Sequence, residues 1–164
     1  MTAHMQPEQL PTTTNVPIAR LVRTILLVNL YVQLSELVRY LVVVRPRLES
    51  ELATSIDGVG RIDLVIFSIW GLWGTLLSTV LVMLYWLLAN CFGSTVRSAI
   101  ASGTMAWFMC FVILWVGVAN MQISSWALPA IALPLAVVET VTATLFARWL
   151  LNRQGSPVRC CATS

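Results

Sequence analysis

Four long apolar runs, separated by short polar breaks, dominate the chain and occupy residues 18–44, 62–89, 98–121 and 126–151. Each approaches or exceeds the ~20 residues an α-helix needs to cross ~30 Å of hydrocarbon. Short connections pack sequential helices antiparallel. The pattern therefore predicts an all-α integral membrane protein, a four-transmembrane-helix antiparallel bundle over residues 18–151. The first run ends at Arg45-Pro46, because proline disfavours helix in the residue before it. The second exceeds the hydrocarbon thickness and must tilt or protrude. Pro129 and Pro134 are expected to bend the fourth helix by removing backbone bonds.

The flanks read differently. Residues 1–17 contain Pro7, Pro11 and Pro17 with Thr12, Thr13 and Thr14, and hold few large apolar side chains to offset ordering, which predicts a flexible leader. The apolar run after it is far longer than the 7–15 residues of a signal-peptide core, so the first helix is expected to stay in the mature protein. Residues 152–164 form a short tail. The first loop, residues 45–61, holds Glu49, Glu51, Asp57 and a turn-like Asp57-Gly58-Val59-Gly60. The other two connections are very short.

Basic residues set the expected direction of the bundle. Arg20, Arg23, Arg97, Arg148, Arg153 and Arg159 fall at one end, and Arg45, Arg47 and Arg61 at the other, with Arg39 one turn deeper. The positive-inside tendency then places both termini in the cytosol, in a plasma membrane or endomembrane. Trp86, Trp126 and Trp149 lie near expected helix ends, where amphipathic rings favour the interface.

Composition narrows the partners. The chain is 58% hydrophobic and only 10% charged, where soluble domains carry about 25% charged residues. Its net charge of +3 sits on loops and ends, not on a soluble basic face, which excludes a nucleic-acid footprint. His4, the single histidine, lies in the leader, and Cys91, Cys110, Cys160 and Cys161 follow no disulfide or zinc spacing. No metal or cofactor is expected. Nor is there a nucleophile with a base, or a paired-carboxylate motif, to support an enzyme.

Helix 1 does carry a polar seam. Asn29, Gln33, Glu36 and Tyr40 recur at spacings of four, three and four, aligned on one helical face, with Arg39 close by. Glu36 and Arg39 have the i, i+3 spacing of an ion pair. Glu139 is the second acid at membrane depth, among Thr140, Thr142 and Thr144, and is expected to be neutral and to donate a hydrogen bond to a neighbouring helix. Polar groups at this depth face the bundle interior, either as a structural seam between helices or as a proton or ion pathway.

Small residues suggest where helices approach closely. Gly71 and Gly74 lie one turn apart with Ser68, Thr75 and Ser78, and Ser102, Gly103 and Gly117 mark helix 3. At the C-terminus, Cys161-Ala162-Thr163-Ser164 matches a loose prenylation pattern, with Cys160 placed for a second lipid, although Thr163 is not the usual aliphatic residue.

The entrance to helix 2 reads Arg61-Ile62-Asp63, then Ile66-Phe67-Ser68 and Trp70. This resembles the second-helix start of small fungal MARVEL-domain proteins. The likeness continues in outline over residues 18–151, through a very short turn at residues 90–97, an aromatic third helix at Trp107-Phe108, and an Ala-rich fourth helix with Glu139 near its middle. The chain departs from that pattern in lacking an acid in helix 3 and the cysteines that some members carry between helices 3 and 4. The resemblance implies a non-enzymatic role in membrane organisation or vesicle trafficking and carries no catalytic or ligand residues. Read without it, the chain is a membrane-organising protein whose partners are lipids, itself or other membrane proteins, or a small transporter or channel using Glu36, Arg39 and Glu139, or an accessory subunit of a larger complex.

Overall fold

The computed structural model describes residues 17–46, 64–122 and 125–153. The leader, most of the first loop with the Arg61-Ile62-Asp63 motif, and the tail with Cys160 and Cys161 lie outside the described residues. Among the described residues the chain is helical, and it contains four helices long and apolar enough to cross a membrane. This is an all-α, multi-pass membrane bundle.

Helix α1 runs over Ile18–Arg39 and continues through a π-helical turn at Tyr40–Val44. Helix α2 is Leu64–Phe92, and helix α3 spans Val96–Asn120 with a π-helical turn at Phe108–Val112 inside it. Helix α4 is Ala127–Arg153. The boundaries depart by a few residues from those of the apolar runs. At the α2–α3 junction, α2 runs on to Phe92, where Gly93 adopts a φ of 83° that a side chain would resist. Thr95 then caps α3, its hydroxyl accepting the Ser98 N–H at 3.1 Å.

Each helix has an inward stripe and an apolar outward surface. On α1, Thr24, Val28, Val32 and Glu36 are buried at a constant spacing of four, while Leu26, Leu30, Leu34, Val38 and Val42 are exposed. In a bilayer those exposed side chains meet lipid tails, so exposure costs nothing there and hydrophobicity cannot choose the inner face. Fit and polarity choose it instead.

Fit is tightest between α3 and α4. Small residues are buried on both helices, Ser98, Ala99, Ser102, Gly103 and Ala106 on α3 and Ala136, Thr140, Ala143, Thr144 and Ala147 on α4, and the two helices pack against each other. Thr144 Oγ1 donates across the junction to the Ala99 carbonyl at 2.8 Å. A Cβ added at Gly103 would come within 2.7 Å of both Val141 Cα and Thr144 Oγ1, so this glycine sets the backbone approach.

The other glycines behave differently. A Cβ at Gly74 would strike the Gln33 amide at 2.7 Å, so Gly74 makes room for a side chain and not for a helix backbone. Gly71 contributes its carbonyl, which accepts from Gln33 Nε2 at 2.8 Å. At Gly117 an added Cβ meets nothing within 4 Å, so this glycine makes no close approach to the other described helices. Ser68, Thr75 and Ser78 turn their hydroxyls back to the carbonyls of Leu64, Gly71 and Gly74 on their own helix. Back-bonding of this kind satisfies a hydroxyl without a partner helix.

The two prolines of α4 also separate. Pro129 sits in the first turn, where its missing N–H costs no helical bond, so the expected bend does not arise there. Pro134 lies inside the helix, and the neighbouring Leu133 carbonyl accepts from Trp107 Nε1 of α3 at 2.9 Å.

One end of the bundle is stitched by polar contacts. Arg20 Nη2 donates to the Leu151 carbonyl, joining the start of α1 to the last turn of α4. Ser94 Oγ is shared by Tyr85 at 2.7 Å and Asn152 Oδ1 at 2.8 Å, and Arg153 stacks over Trp149 with Cζ 4.7 Å from the ring centre.

Gly103→Val should lower the thermal midpoint of the detergent-solubilised protein by an amount equivalent to about 1–3 kcal/mol, the cost of overpacking. Gly117→Val should leave the midpoint unchanged, and equal losses at both positions would contradict the α3–α4 approach described here.

Candidate functional site

The polar seam on α1 finds its partners on α2. Asn29 Oδ1 lies 3.4 Å from Ser78 Oγ, Gln33 reaches the Gly71 carbonyl, and Tyr40 packs edge-on against Trp70 with ring centres 4.8 Å apart. Spacing along α1 predicted the shared face, and that face is an inter-helical seam in the structure.

Its centre is Glu36. The carboxylate is 2% exposed and accepts a hydrogen bond from Trp70 Nε1 at 2.8 Å on Oε2. Its other oxygen lies 3.4 Å from Arg39 Nη2, giving the i, i+3 ion pair anticipated from the sequence. Arg39 then extends to α4, where Nη1 stands 3.3 Å from Glu139 Oε2. The guanidinium carbon also lies 5.3 Å from the centre of the Phe111 ring on α3, a cation–π distance. One side chain thereby touches groups on α3 and α4 while pairing within α1, and its pairing partner holds α2.

Glu139 differs from what its neighbours suggested. It is 4% exposed, yet neither carboxyl oxygen makes a hydrogen bond among the described residues. Its contact to Arg39 is close but misaligned, because Arg39 Nη1 is also without a hydrogen bond there. The expected hydrogen bond from Glu139 to a neighbouring helix is therefore replaced by proximity to a guanidinium from α1. The nearby threonines bond elsewhere: Thr142 Oγ1 receives Tyr31 at 2.6 Å and donates to the Val138 carbonyl at 2.7 Å.

Both π-helical turns lie at this cluster. The turn in α1 begins at Tyr40, directly after Arg39, and the turn in α3 contains Phe111. A π turn adds a residue to the helical repeat and rotates everything beyond it, which re-aims side chains and often accompanies functional positions. Arg39 and Phe111 were not paired by spacing, and no sequence signal marks either turn.

Chemically, the cluster is two carboxyls, one guanidinium, one indole N–H and one aromatic face. No group of three His, Cys, Asp or Glu side chains able to hold a metal occurs among the described residues. Cys91 is exposed and Cys110 half-buried, and both are free thiols.

Trp70→Phe keeps the ring and deletes the donor to Glu36. It should destabilise the folded protein by about 1–2 kcal/mol, the range for a hydrogen bond to a charged group reduced by membrane context. Tyr31→Phe should cost less, because Thr142 keeps the Val138 carbonyl as its acceptor. Chemical denaturation of both variants in the same micelle checks the order, and a larger loss for Tyr31→Phe would contradict it.

Comparison of the chain with protein-family models, curated proteins and solved structures returns no match.

Proposed function

We propose that this protein works without catalysis, organising membrane or assisting trafficking through lateral association with lipids, with copies of itself or with other membrane proteins. The observation that carries this reading is the inward closure of the seam. Asn29, Gln33, Glu36, Arg39, Tyr40 and Glu139 all find neighbours inside the bundle, and the two acids are sealed at 2% and 4% exposure. An ion pathway needs polar groups that line a wetted route, whereas these charges face one another. What remains for interaction is the outward surface, apolar over all four helices and interrupted by the open position at Gly117.

The MARVEL-like features of the sequence point the same way, toward membrane organisation. The up–down topology gathers Arg20, Arg23, Arg97, Arg148 and Arg153 at one end of the bundle, which supports cytosolic termini through the positive-inside tendency. Farnesylation at Cys161, with Cys160 as a second lipid position, would add anchoring to that face.

Purified full-length protein in liposomes tests the reading against transport. Proton or ion flux should not exceed that of empty liposomes, and single-molecule photobleaching in native membrane should show clusters or co-diffusion with a partner. Flux that disappears in the Glu36→Gln, Glu139→Gln double variant would overturn the proposal in favour of a transporter. Recovery only within one fixed, larger complex would favour an accessory subunit.

A further inference from the structure

We propose that Glu36, Arg39 and Glu139 form a proton-binding site, in which two carboxylates and one guanidinium hold a single exchangeable proton, resident on Glu139. This site stands on its own geometry and does not depend on the lateral-association reading.

Charge balance gives the stoichiometry. Fully ionised, the cluster carries one uncompensated negative charge among helices that face hydrocarbon, where an unbalanced charge is expensive. A single proton brings the sum to zero. Among the described residues, the charged groups that meet there are Glu36 and Arg39 from α1 and Glu139 from α4; α2 contributes Trp70 and α3 Phe111, neither of which ionises.

Hydrogen bonding decides which acid holds the proton. Both oxygens of Glu36 face donors, the indole N–H of Trp70 at 2.8 Å and the guanidinium of Arg39 at 3.4 Å, which suits an anion that accepts only. Glu139 points into the same cluster with its Oε2 3.3 Å from Arg39 Nη1, is 4% exposed, and has no hydrogen bond to either oxygen among the described residues. A buried carboxyl whose oxygens accept no aligned hydrogen bond is better tolerated neutral than charged. The step is simple protonation: a proton from hydronium forms an O–H bond on Glu139 and leaves water, and the reverse returns it. Arg39, whose side chain is 16% exposed, stays charged throughout and is the cation against which the proton is balanced.

Infrared spectroscopy of the full-length protein in lipid vesicles reads the proton directly, through the C=O stretch of a neutral carboxyl in apolar surroundings. Wild-type protein near neutral pH should show one such band, which disappears as pH is raised and is unaffected by added sodium at fixed pH. Glu139→Gln should lose the band. Glu36→Gln should also lose it, because Glu139 and Arg39 then balance as an ion pair. Removal of the proton leaves net negative charge in the cluster, so the wild-type thermal midpoint should fall as pH rises, while that of Glu139→Gln should not follow it. Absence of the band from wild-type protein at every pH where it is folded would overturn the proposal. So would a full-height band in either Gln variant, or its displacement by sodium.

Discussion

Everything in this bundle turns on one problem, how to keep a guanidinium and two carboxyls inside a membrane helix bundle. None of the three tolerates hydrocarbon alone. The structure meets the requirement by bringing Arg39 within 3.4 Å of Glu36 and 3.3 Å of Glu139, and by placing the Trp70 indole and the Phe111 ring against the same groups. Because these residues come from all four helices, satisfying the charges fixes how the helices are arranged. Apolar contact alone would not, since lipid tails and leucine side chains are equivalent solvents for one another.

The small-residue junction of α3 and α4 complements this arrangement. Gly103 and the alanines around it let two backbones approach where van der Waals packing and the Thr144 hydrogen bond replace the hydrophobic effect as the source of affinity. Close packing there carries Phe111 and Glu139 on neighbouring helices toward Arg39. Polar chemistry and backbone proximity therefore specify the same arrangement, which is the agreement across levels expected of a sequence that folds to one structure.

Much of this was legible in the sequence because membranes impose a length rule. The four runs mapped onto four helices with shifts of a few residues at their ends, and the spacing of Asn29, Gln33, Glu36 and Tyr40 marked the edge of α1 that meets α2, while the fully buried stripe of Thr24, Val28, Val32 and Glu36 shares only Glu36 with it. Arg39 with Glu36 followed from local i, i+3 geometry. The bridge from Arg39 to Glu139 did not, because it spans helices far apart in sequence and depends on a side-chain direction that no local pattern encodes. The π turns at Tyr40–Val44 and Phe108–Val112 were invisible for the same reason. Gly71, Gly74, Gly103 and Gly117 looked alike as small residues, yet only the facing surface separates a backbone contact at Gly103 from open space at Gly117.

The central claim is that the charges around Arg39 act as a unit, and a rescue experiment on stability tests it most directly. Arg39→Met alone should destabilise the protein by about 3–5 kcal/mol, because it leaves two buried acids without a cation. Adding Glu36→Gln and Glu139→Gln to Arg39→Met should recover at least half of that loss by removing the stranded charges. A triple variant no more stable than Arg39→Met, with the separate losses simply adding, would contradict the account.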